Sequence, residues 1–294
     1  ALTGATVQVA EAASTDLGAS TVDSLALVSQ GSISTSGTVA VTGLADLKTL
    51  ADGGAAITLN NGSTAASISA VSRNLADSAN AAGDITLAPG GSALLQTVAT
   101  TGNVALAAAS GATLSQEAGS TLAAAGLDLT GAGGTHTLLA GTNSLATLAG
   151  NTGTVAIKAD GGFAIGTLAS TGLAATGTVT LQSTGTVTQT AAITTPGLAL
   201  NGSGGTFTLN SVNNAISTLA GNTGNVAFQD NTGFEVGTVG AVGLTASGTV
   251  ALQSTGTVTQ TQAVTAVGLA LAGGSGTYNL DGANNAVTQL AGNA

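Results

Sequence analysis

The second half of this 294-residue chain repeats itself at a constant offset. The sequence LAGNTG at residues 148–153 returns at residues 219–224, and its first four letters return at residues 290–293. The sequence STGTVTQT occurs at residues 183–190 and, at the same offset, at residues 254–261. Gap-free repetition at a fixed period is typical of an architecture in which each copy packs on its neighbours.

The repeat divides the chain into segments of decreasing regularity. Two complete copies are followed by the start of a third, and they are preceded by a partial copy and by degenerate sequence. We interpret the whole chain, residues 1–294, as one β-solenoid built from these segments. The proposed segments are residues 1–101, 102–147, 148–218, 219–289 and 290–294.

Short runs with alternating apolar residues fill each copy, and Gly, Asn, Asp and Ser separate them. Examples are residues 249–252 (TVAL) and 257–261 (TVTQT). Period-two runs of this length predict half-buried strands, and the separating residues favour tight turns. The runs predict an all-β parallel β-helix with three strands per turn, about 24 residues per turn, about 12 turns and a right-handed sense.

Residues 64–83 depart from this pattern. Ile68, Val71, Leu75 and Ala79 follow one another at helical spacing with few glycines between them. This spacing predicts a short helix or an irregular excursion from the solenoid.

The composition excludes several kinds of partner. Three basic residues against thirteen acidic ones cannot form a surface that follows nucleic-acid phosphates. No apolar run is long enough to span a bilayer as a helix, so we expect no membrane insertion of this segment. The absence of cysteine rules out disulfides, thiolate metal sites and cysteine nucleophiles.

Two positions recur with the repeat and are predicted to form columns on every third turn. One is filled by a large ring, at His136, Phe207 and Tyr278. The second is always asparagine, which suits a solenoid corner because asparagine tolerates left-handed backbone. Its members are Asn143, Asn214 and Asn285.

The chemically active residue types do not form a recognisable catalytic set. His136 is the only histidine, and its counterparts are aromatic, so we interpret it as a space-filling residue. The candidate acids for sugar hydrolysis in the regular region are Asp160, Asp230, Glu235 and Asp281. Asp160 and Asp230 are predicted to lie about 14 Å apart, too far for a catalytic pair, and the aspartates are interpreted as turn residues. We therefore predict no catalytic, cofactor-binding or metal-binding residue and no cofactor.

Glycine-rich and threonine-rich strings share some features with known binding motifs. The glycine strings at residues 131–135 and 202–206 complete no nucleotide-binding pattern and predict turns. At residues 273–278, Tyr278 occupies the position where a calcium repeat needs aspartate. Thr186, Thr188 and Thr190 are predicted to face outward, but one predicted turn later the row would be interrupted at Asn210.

Residues 209–228 and 233–239 together resemble the repeats of filamentous-haemagglutinin-like bacterial exoproteins. The resemblance covers residues 100–294 well and residues 1–99 loosely. It implies a right-handed β-helix, export by two-partner or autotransporter secretion, and a place on the cell surface. Neither the Asn-Pro-rich signature of the family's secretion domain nor the aromatic girdles of a membrane barrel are found, so the resemblance is to the repetitive shaft.

These observations favour a non-enzymatic structural or adhesive shaft of a secreted bacterial surface protein or extracellular fibre. We expect it to associate end to end or to continue in a longer chain, because the ends of a solenoid present unpaired strand edges. Host or surface glycans are further expected partners. The alternatives are a glycan-binding or ice-binding solenoid and a carbohydrate-active β-helix enzyme.

Overall fold

The computed structural model describes residues 2–293 of the chain, and within that range it contains strands and turns but no helix. The strands are β1 (Thr3–Glu11), β2 (Thr15–Leu17), β3 (Ser20–Ser29), β4 (Ile33–Thr35), β5 (Val39–Leu50), β6 (Ile57–Leu59), β7 (Thr64–Arg73), β8 (Ile85–Leu87), β9 (Ala93–Ala99), β10 (Asn103–Ala107), β11 (Thr113–Gln116), β12 (Thr121–Leu138), β13 (Thr142–Ala159), β14 (Phe163–Ile165), β15 (Leu173–Ala175), β16 (Val179–Ser183), β17 (Thr186–Gln189), β18 (Ile193–Asp230), β19 (Glu235–Val236), β20 (Leu244–Ala246), β21 (Thr249–Gln253), β22 (Thr257–Gln260), β23 (Val264–Ala272), β24 (Thr277–Asn279) and β25 (Ala286–Asn293).

The strands pair in parallel with strands of the next turn, which confirms the predicted parallel β-solenoid. The chain divides into two units, residues 1–146 and residues 147–294, and each is a stack of such turns. Residues 2–293 form about 14 turns of about 21 residues each. The predicted turn length and the predicted number of turns, which assumed equal turns throughout, were therefore wrong.

The error arose because surface loops lengthen some turns. In the second unit, Val155 pairs with Val179, and the loop at residues 166–172 lies between them. Val179 then pairs with Leu198 over a shorter stretch of chain that has no such loop. In the first unit, the stretch from Ile57 to its partner Ile85 is longer still, because it includes a larger loop. The spacing between repeats in the sequence includes the loops, so it does not give the length of an individual turn.

Columns of aliphatic side chains form the core of each unit. In the first unit Ile57, Ile85, Val104 and Leu127 stack on successive turns, and each is fully buried. Full burial of such a side chain contributes about 1.5–3 kcal/mol. A turn by itself cannot cover its own apolar residues, so the stacking of turns provides the core.

Residues 64–83 contain a strand where the spacing had suggested a helix. The strand β7 covers Thr64–Arg73, and from Ser67 onward its side chains alternate between the core and the surface. The predicted helix is therefore wrong, because period-two burial and pairing with β5 and β9 override the helical spacing. An irregular loop follows at residues 74–84.

Two basic residues hold this loop through one carboxylate. Asp77 accepts a hydrogen bond from Lys48 Nζ at 2.9 Å and from Arg73 Nε at 3.0 Å. These hydrogen bonds lower the pKa of Asp77, and the bond from Lys48 has the larger effect. Arg73 also donates to Asn80 Oδ1 at 2.8 Å, and the loop presents Leu75 with 52% of its surface exposed. The loop is thus an ordered projection from the first unit.

The repeat does not equal a whole number of turns. In the second unit Val226, Val250, Leu269 and Leu290 stack on four successive turns, so three turns separate Val226 from Leu290. In the repeat, Leu290 corresponds to Leu219, which lies seven residues before Val226. Seven residues are one third of a turn of about 21 residues. One repeat therefore advances the solenoid by three turns and one third.

Successive copies consequently present corresponding residues on different faces, and the predicted columns are wrong. Asn285 lies in a column with Leu244 and Val264, and Gly221 precedes these residues in that column. Asn214 lies seven residues before Gly221, at the preceding corner of that turn. The repeat thus rotates its residues by a third of a turn about the stacking direction instead of aligning them.

Candidate functional site

Pairs of amide side chains link turns of the solenoid. Gln189 Nε2 donates to Asn214 Oδ1 at 2.9 Å, and Asn214 Nδ2 donates to Gln189 Oε1 at 3.0 Å. The same reciprocal pair joins Gln260 to Asn285, at 3.0 and 2.9 Å. In the first unit Gln116 pairs with Asn143 in the same way, at 2.7 and 3.1 Å. The amides of the pairs Gln116–Asn143 and Gln189–Asn214 satisfy one another's hydrogen bonds away from water, as buried polar groups require, whereas Asn285 of the third pair is exposed.

The asparagine of each pair also binds the main chain. Asn214 Oδ1 accepts a hydrogen bond from Ile193 N at 2.8 Å, and its Nδ2 donates to Leu209 O at 3.0 Å. None of the three recurring asparagines has a left-handed backbone; among the described non-glycine residues only Asn61 and Asp77 do. The expectation that these asparagines serve as left-handed corners is therefore wrong: they turn inward and hold neighbouring turns together.

The recurring ring position is a core position with a polar anchor. His136 is fully buried, and its ring Nε2 lies 3.1 Å from Thr130 O. A carbonyl oxygen can only accept, so Nε2 carries the proton and Nδ1 is the unprotonated nitrogen. Burial lowers the pKa of His136, and the hydrogen bond to Thr130 opposes that shift in part. The side chain is thus a neutral histidine that fills the interior.

Tyr278 repeats the same contact in the last copy. Its hydroxyl donates to Ala272 O, six residues earlier, which is the relation that His136 has to Thr130. The hydroxyl also accepts from Ser254 N at 2.9 Å, and burial raises the pKa of Tyr278. Phe207, fully buried, fills the position without a polar group. The space-filling interpretation agrees with all three environments.

The four acids that were considered for sugar cleavage have separate structural surroundings. Asp230 is fully buried; its Oδ1 accepts from Thr232 N at 2.7 Å, and its Oδ2 accepts from Ile216 N at 2.8 Å. Asp160 lies 3.4 Å from Lys158 Nζ at the surface. Glu235 accepts from the Thr261 hydroxyl at 2.7 Å. Asp281 is exposed, and none of these contacts joins one acid to another.

The glycine-rich strings are sites of close backbone approach. Gly202 and Gly273 have φ values of 134° and 148°. A Cβ atom at Gly202 would lie 1.9 Å from Ser183 O, and one at Gly273 would lie 1.7 Å from Ser254 O. Gly131 repeats this geometry in the first unit, 1.9 Å from Ala108 O. These glycines let adjacent turns approach each other, which accounts for their recurrence without a bound nucleotide.

The outward threonines extend over two turns. Thr186, Thr188 and Thr190 are exposed, as predicted, but Thr188 pairs with Thr208, so the next turn continues the row. The interruption expected one predicted turn later, at Asn210, is therefore wrong. The row does end on the other side, where Thr188 pairs with Ala164. Two turns form a small threonine patch, and they do not extend to a flat repetitive face.

A groove lies on the outer surface of the second unit beside the loop at residues 237–243. Its volume is about 540 Å³. Amide and hydroxyl side chains form its floor, and aliphatic loop residues form one wall. It is lined by Gln182, Asn201, Gly202, Ser203, Asn222, Gly240, Ala241, Val242 and Thr245. Sequence reasoning missed this groove because its residues come from four turns, and the predicted turn length does not align them.

The described part of the chain holds no cluster of three or more His, Cys, Asp or Glu residues that could bind a metal ion. It also contains no helix long and apolar enough to cross a membrane. Residues 4–72 match a family described as repeats of unknown function (DUF5649). Comparisons with curated proteins and with solved structures gave no match. The matched region lies within residues 1–101, the segment with the least regular repetition.

Proposed function

We propose that this chain is a non-enzymatic shaft segment of a filamentous-haemagglutinin-like bacterial surface protein, exported to the outside of the cell. The supporting observation is that polar side chains in its interior bind other groups of the fold. The amides of Gln189 and Asn214 bind each other, and the carboxylate of Asp230 binds backbone N–H groups. Buried groups that are committed to the fold stabilise a scaffold and are not available as catalytic acids or bases.

The repeat geometry supports the same function. A shaft must set a distance, and a stack of turns sets it through the strand spacing of about 4.8 Å. Each repeat of three turns and one third therefore adds about 16 Å along the stack. Because neighbouring copies meet through parallel pairing, copies can be added without a new kind of contact.

Height above a surface tests this proposal. The protein is anchored through its C-terminus, and a dye is attached at Ala169→Cys, an exposed position of the second unit in a chain that has no cysteine. Distance-dependent quenching by the surface should show the dye rising by about 16 Å for each added copy of residues 148–218. A scrambled copy of equal length serves as the control. An unchanged height, or turnover of a polysaccharide by the purified chain, would contradict the shaft.

We further propose that the edge strand β25 is covered either by the continuation of a longer chain or, where the chain ends here, by another copy that associates end to end. β25 pairs with β23 on one side, and Leu290 is 72% exposed beside a groove of about 610 Å³ that is lined by both apolar and polar side chains. One repeat earlier, the strand at the corresponding position is covered, and Asn214 Nδ2 donates to Gln229 O at 3.0 Å. An unpaired strand edge favours pairing with another strand.

Sedimentation across a range of protein concentrations tests this association. Leu290→Lys should abolish the growth of the assemblies, because a charge at the edge opposes strand pairing. Leu75→Lys is the matched control, since Leu75 is also an exposed aliphatic residue, at 52%, and lies in the loop at residues 74–84, which makes no pairing with β25. Monomers at every concentration, or equal loss of association in both variants, would contradict the proposal.

A further inference from the structure

The groove beside residues 237–243 places polar side chains of four successive turns in one line. Gln182 pairs with Asn201, and Asn222 pairs with Thr245. The turn that carries Asn201 lies directly against the turn that carries Asn222. The contact is between Gly221 and Leu200, because a Cβ atom at Gly221 would lie 2.5 Å from Leu200 O. With about 4.8 Å between turns, the line is about 14 Å long.

The loop that forms the wall is fixed in place. Gly243 N donates to Gly237 O at 2.8 Å, and Val239 N donates to Ala241 O at 3.0 Å. The Val239 side chain rests on Gly197, where a Cβ atom would lie 2.9 Å from Val239 Cγ2. With the loop held by this contact, Val242 lies at the groove with 69% of its surface exposed. The wall is therefore an ordered aliphatic surface.

The amide side chains of this floor are uncommitted, unlike those of the interior. Within residues 2–293, the side chains of Gln182, Asn201 and Asn222 make no hydrogen bond to other protein groups, whereas Gln189 and Asn214 are paired. Each free amide offers one acceptor and two donor hydrogens. No charged residue lines the groove. Its chemistry thus suits an uncharged ligand with many hydroxyl groups.

We infer that this groove binds a neutral oligosaccharide. The free amides of Gln182, Asn201 and Asn222 would exchange hydrogen bonds with sugar hydroxyls, and the aliphatic wall at Val242 would contact the C–H face of the sugar. A line about 14 Å long fits a short stretch of an extended glycan. The inference goes beyond the shaft function and does not depend on it, because it concerns one outer face of the second unit.

Side-chain amide signals in ¹H–¹⁵N correlation spectra test the inference. The probes are maltohexaose and cellohexaose, with an oligogalacturonate as the charged comparison. At about 10 mM, a site with a Kd of about 1 mM is mostly occupied. The signals of Gln182, Asn201 and Asn222 should shift with at least one neutral probe and less with the charged one. Failure of both neutral probes to shift these signals would overturn the inference.

Two matched variants separate this groove from general surface effects. Asn222→Ala should weaken binding about five- to tenfold, the loss expected for its hydrogen bonds to the sugar. Asn210→Ala changes another exposed asparagine whose side chain is also free of protein hydrogen bonds, and it should leave the affinity unchanged. Equal weakening in both variants would overturn the inference. So would signals that shift with protein concentration alone, which would indicate a contact between copies.

Discussion

Gln189 and Asn214 exchange two hydrogen bonds, at 2.9 and 3.0 Å, across adjacent turns inside the solenoid. The same pair recurs at Gln260 and Asn285, one repeat later and a third of a turn around the stack. A buried amide pair of this kind penalises any other register between the turns, since a shifted turn would leave both amides unsatisfied. The pairs therefore specify the stacking that apolar columns alone would leave less defined.

Substitution of the asparagine in an amide pair should destabilise the protein more than substitution of the glutamine. Gln189→Met removes only the hydrogen bonds of the glutamine amide and should cost about 1–2 kcal/mol. Asn214→Ala also leaves Ile193 N and Leu209 O without their partner, so we expect a loss of about 3 kcal/mol or more. Thr188→Ala, at the exposed neighbouring position, is the control. Denaturant unfolding measures the difference, and equal losses at Gln189 and Asn214 would contradict the account.

His136 should make stability depend on pH below neutrality. Burial places its pKa in the folded protein below the usual value of about 6.5. The unfolded chain then binds a proton before the folded one does. Stability is therefore complete above about pH 6.5 and falls as the pH drops from there towards the folded-state pKa, by at most about 1.4 kcal/mol per pH unit.

The homologous positions supply the controls for this titration. His136→Phe copies Phe207 and should remove the His136 contribution, while His136→Tyr copies the hydroxyl contact of Tyr278. The unfolding free energy of each form is measured at pH 7.5 and pH 5.5. The wild type should lose more stability than His136→Phe over this interval. A wild type that gained stability relative to the variant would contradict a neutral buried histidine.

Gly202 and Gly204 should respond very differently to alanine. Both have positive φ values, 134° and 77°. A Cβ atom at Gly202 would strike Ser183 O at 1.9 Å, whereas one at Gly204 would meet nothing within 4 Å. Gly204→Ala should therefore cost about 1–2 kcal/mol for backbone strain alone, and Gly202→Ala about 4 kcal/mol or more. Thermal and denaturant unfolding check both values; similar costs would show that the turns do not approach as described.

Removal of one whole repeat should leave a folded solenoid. Deletion of residues 155–225 joins Thr154 to Val226, and the half-buried Thr154 then takes the place of the half-buried Asn225. Deletion of residues 155–224 keeps Asn225 as one extra residue, which directs Val226 and Phe228 towards solvent. The shorter deletion should unfold at lower denaturant, by several kcal/mol for the two exposed side chains. Equal stability of the two forms would contradict the strand alternation.

The sequence was sufficient to predict the parallel solenoid because period-two burial and glycine-rich turns act within each strand. Thr186 and Thr188 face outward and Val187 inward, as their alternation required. The turn length was not predictable in the same way. The loop at residues 166–172 lengthens one turn, and the next turn, from Val179 to Leu198, is shorter because it lacks such a loop. Equal turns had therefore been assumed where the chain has unequal ones.

The asparagine positions show a second limit of sequence reasoning. Asn214 recurs as a corner residue would, but its role depends on Gln189, which lies on another turn. The joint recurrence of glutamine and asparagine, at Gln260 and Asn285, was a signal that could have found the pair. The groove beside residues 237–243 left no such signal, because Gln182, Asn201 and Asn222 meet only through the actual register.

Engineered disulfides test the stacking register, on which the whole account depends, most directly. The native chain has no cysteine, and Thr188 pairs with Thr208 on the outer surface. Neighbouring strands lie about 4.8 Å apart, within the Cα separation that a disulfide accepts. Thr188→Cys with Thr208→Cys should cross-link readily under mild oxidation, and Thr188→Cys with Val212→Cys, at the spacing first expected from the sequence, should remain reduced. Cross-linking of the second pair in place of the first would contradict the solenoid described here.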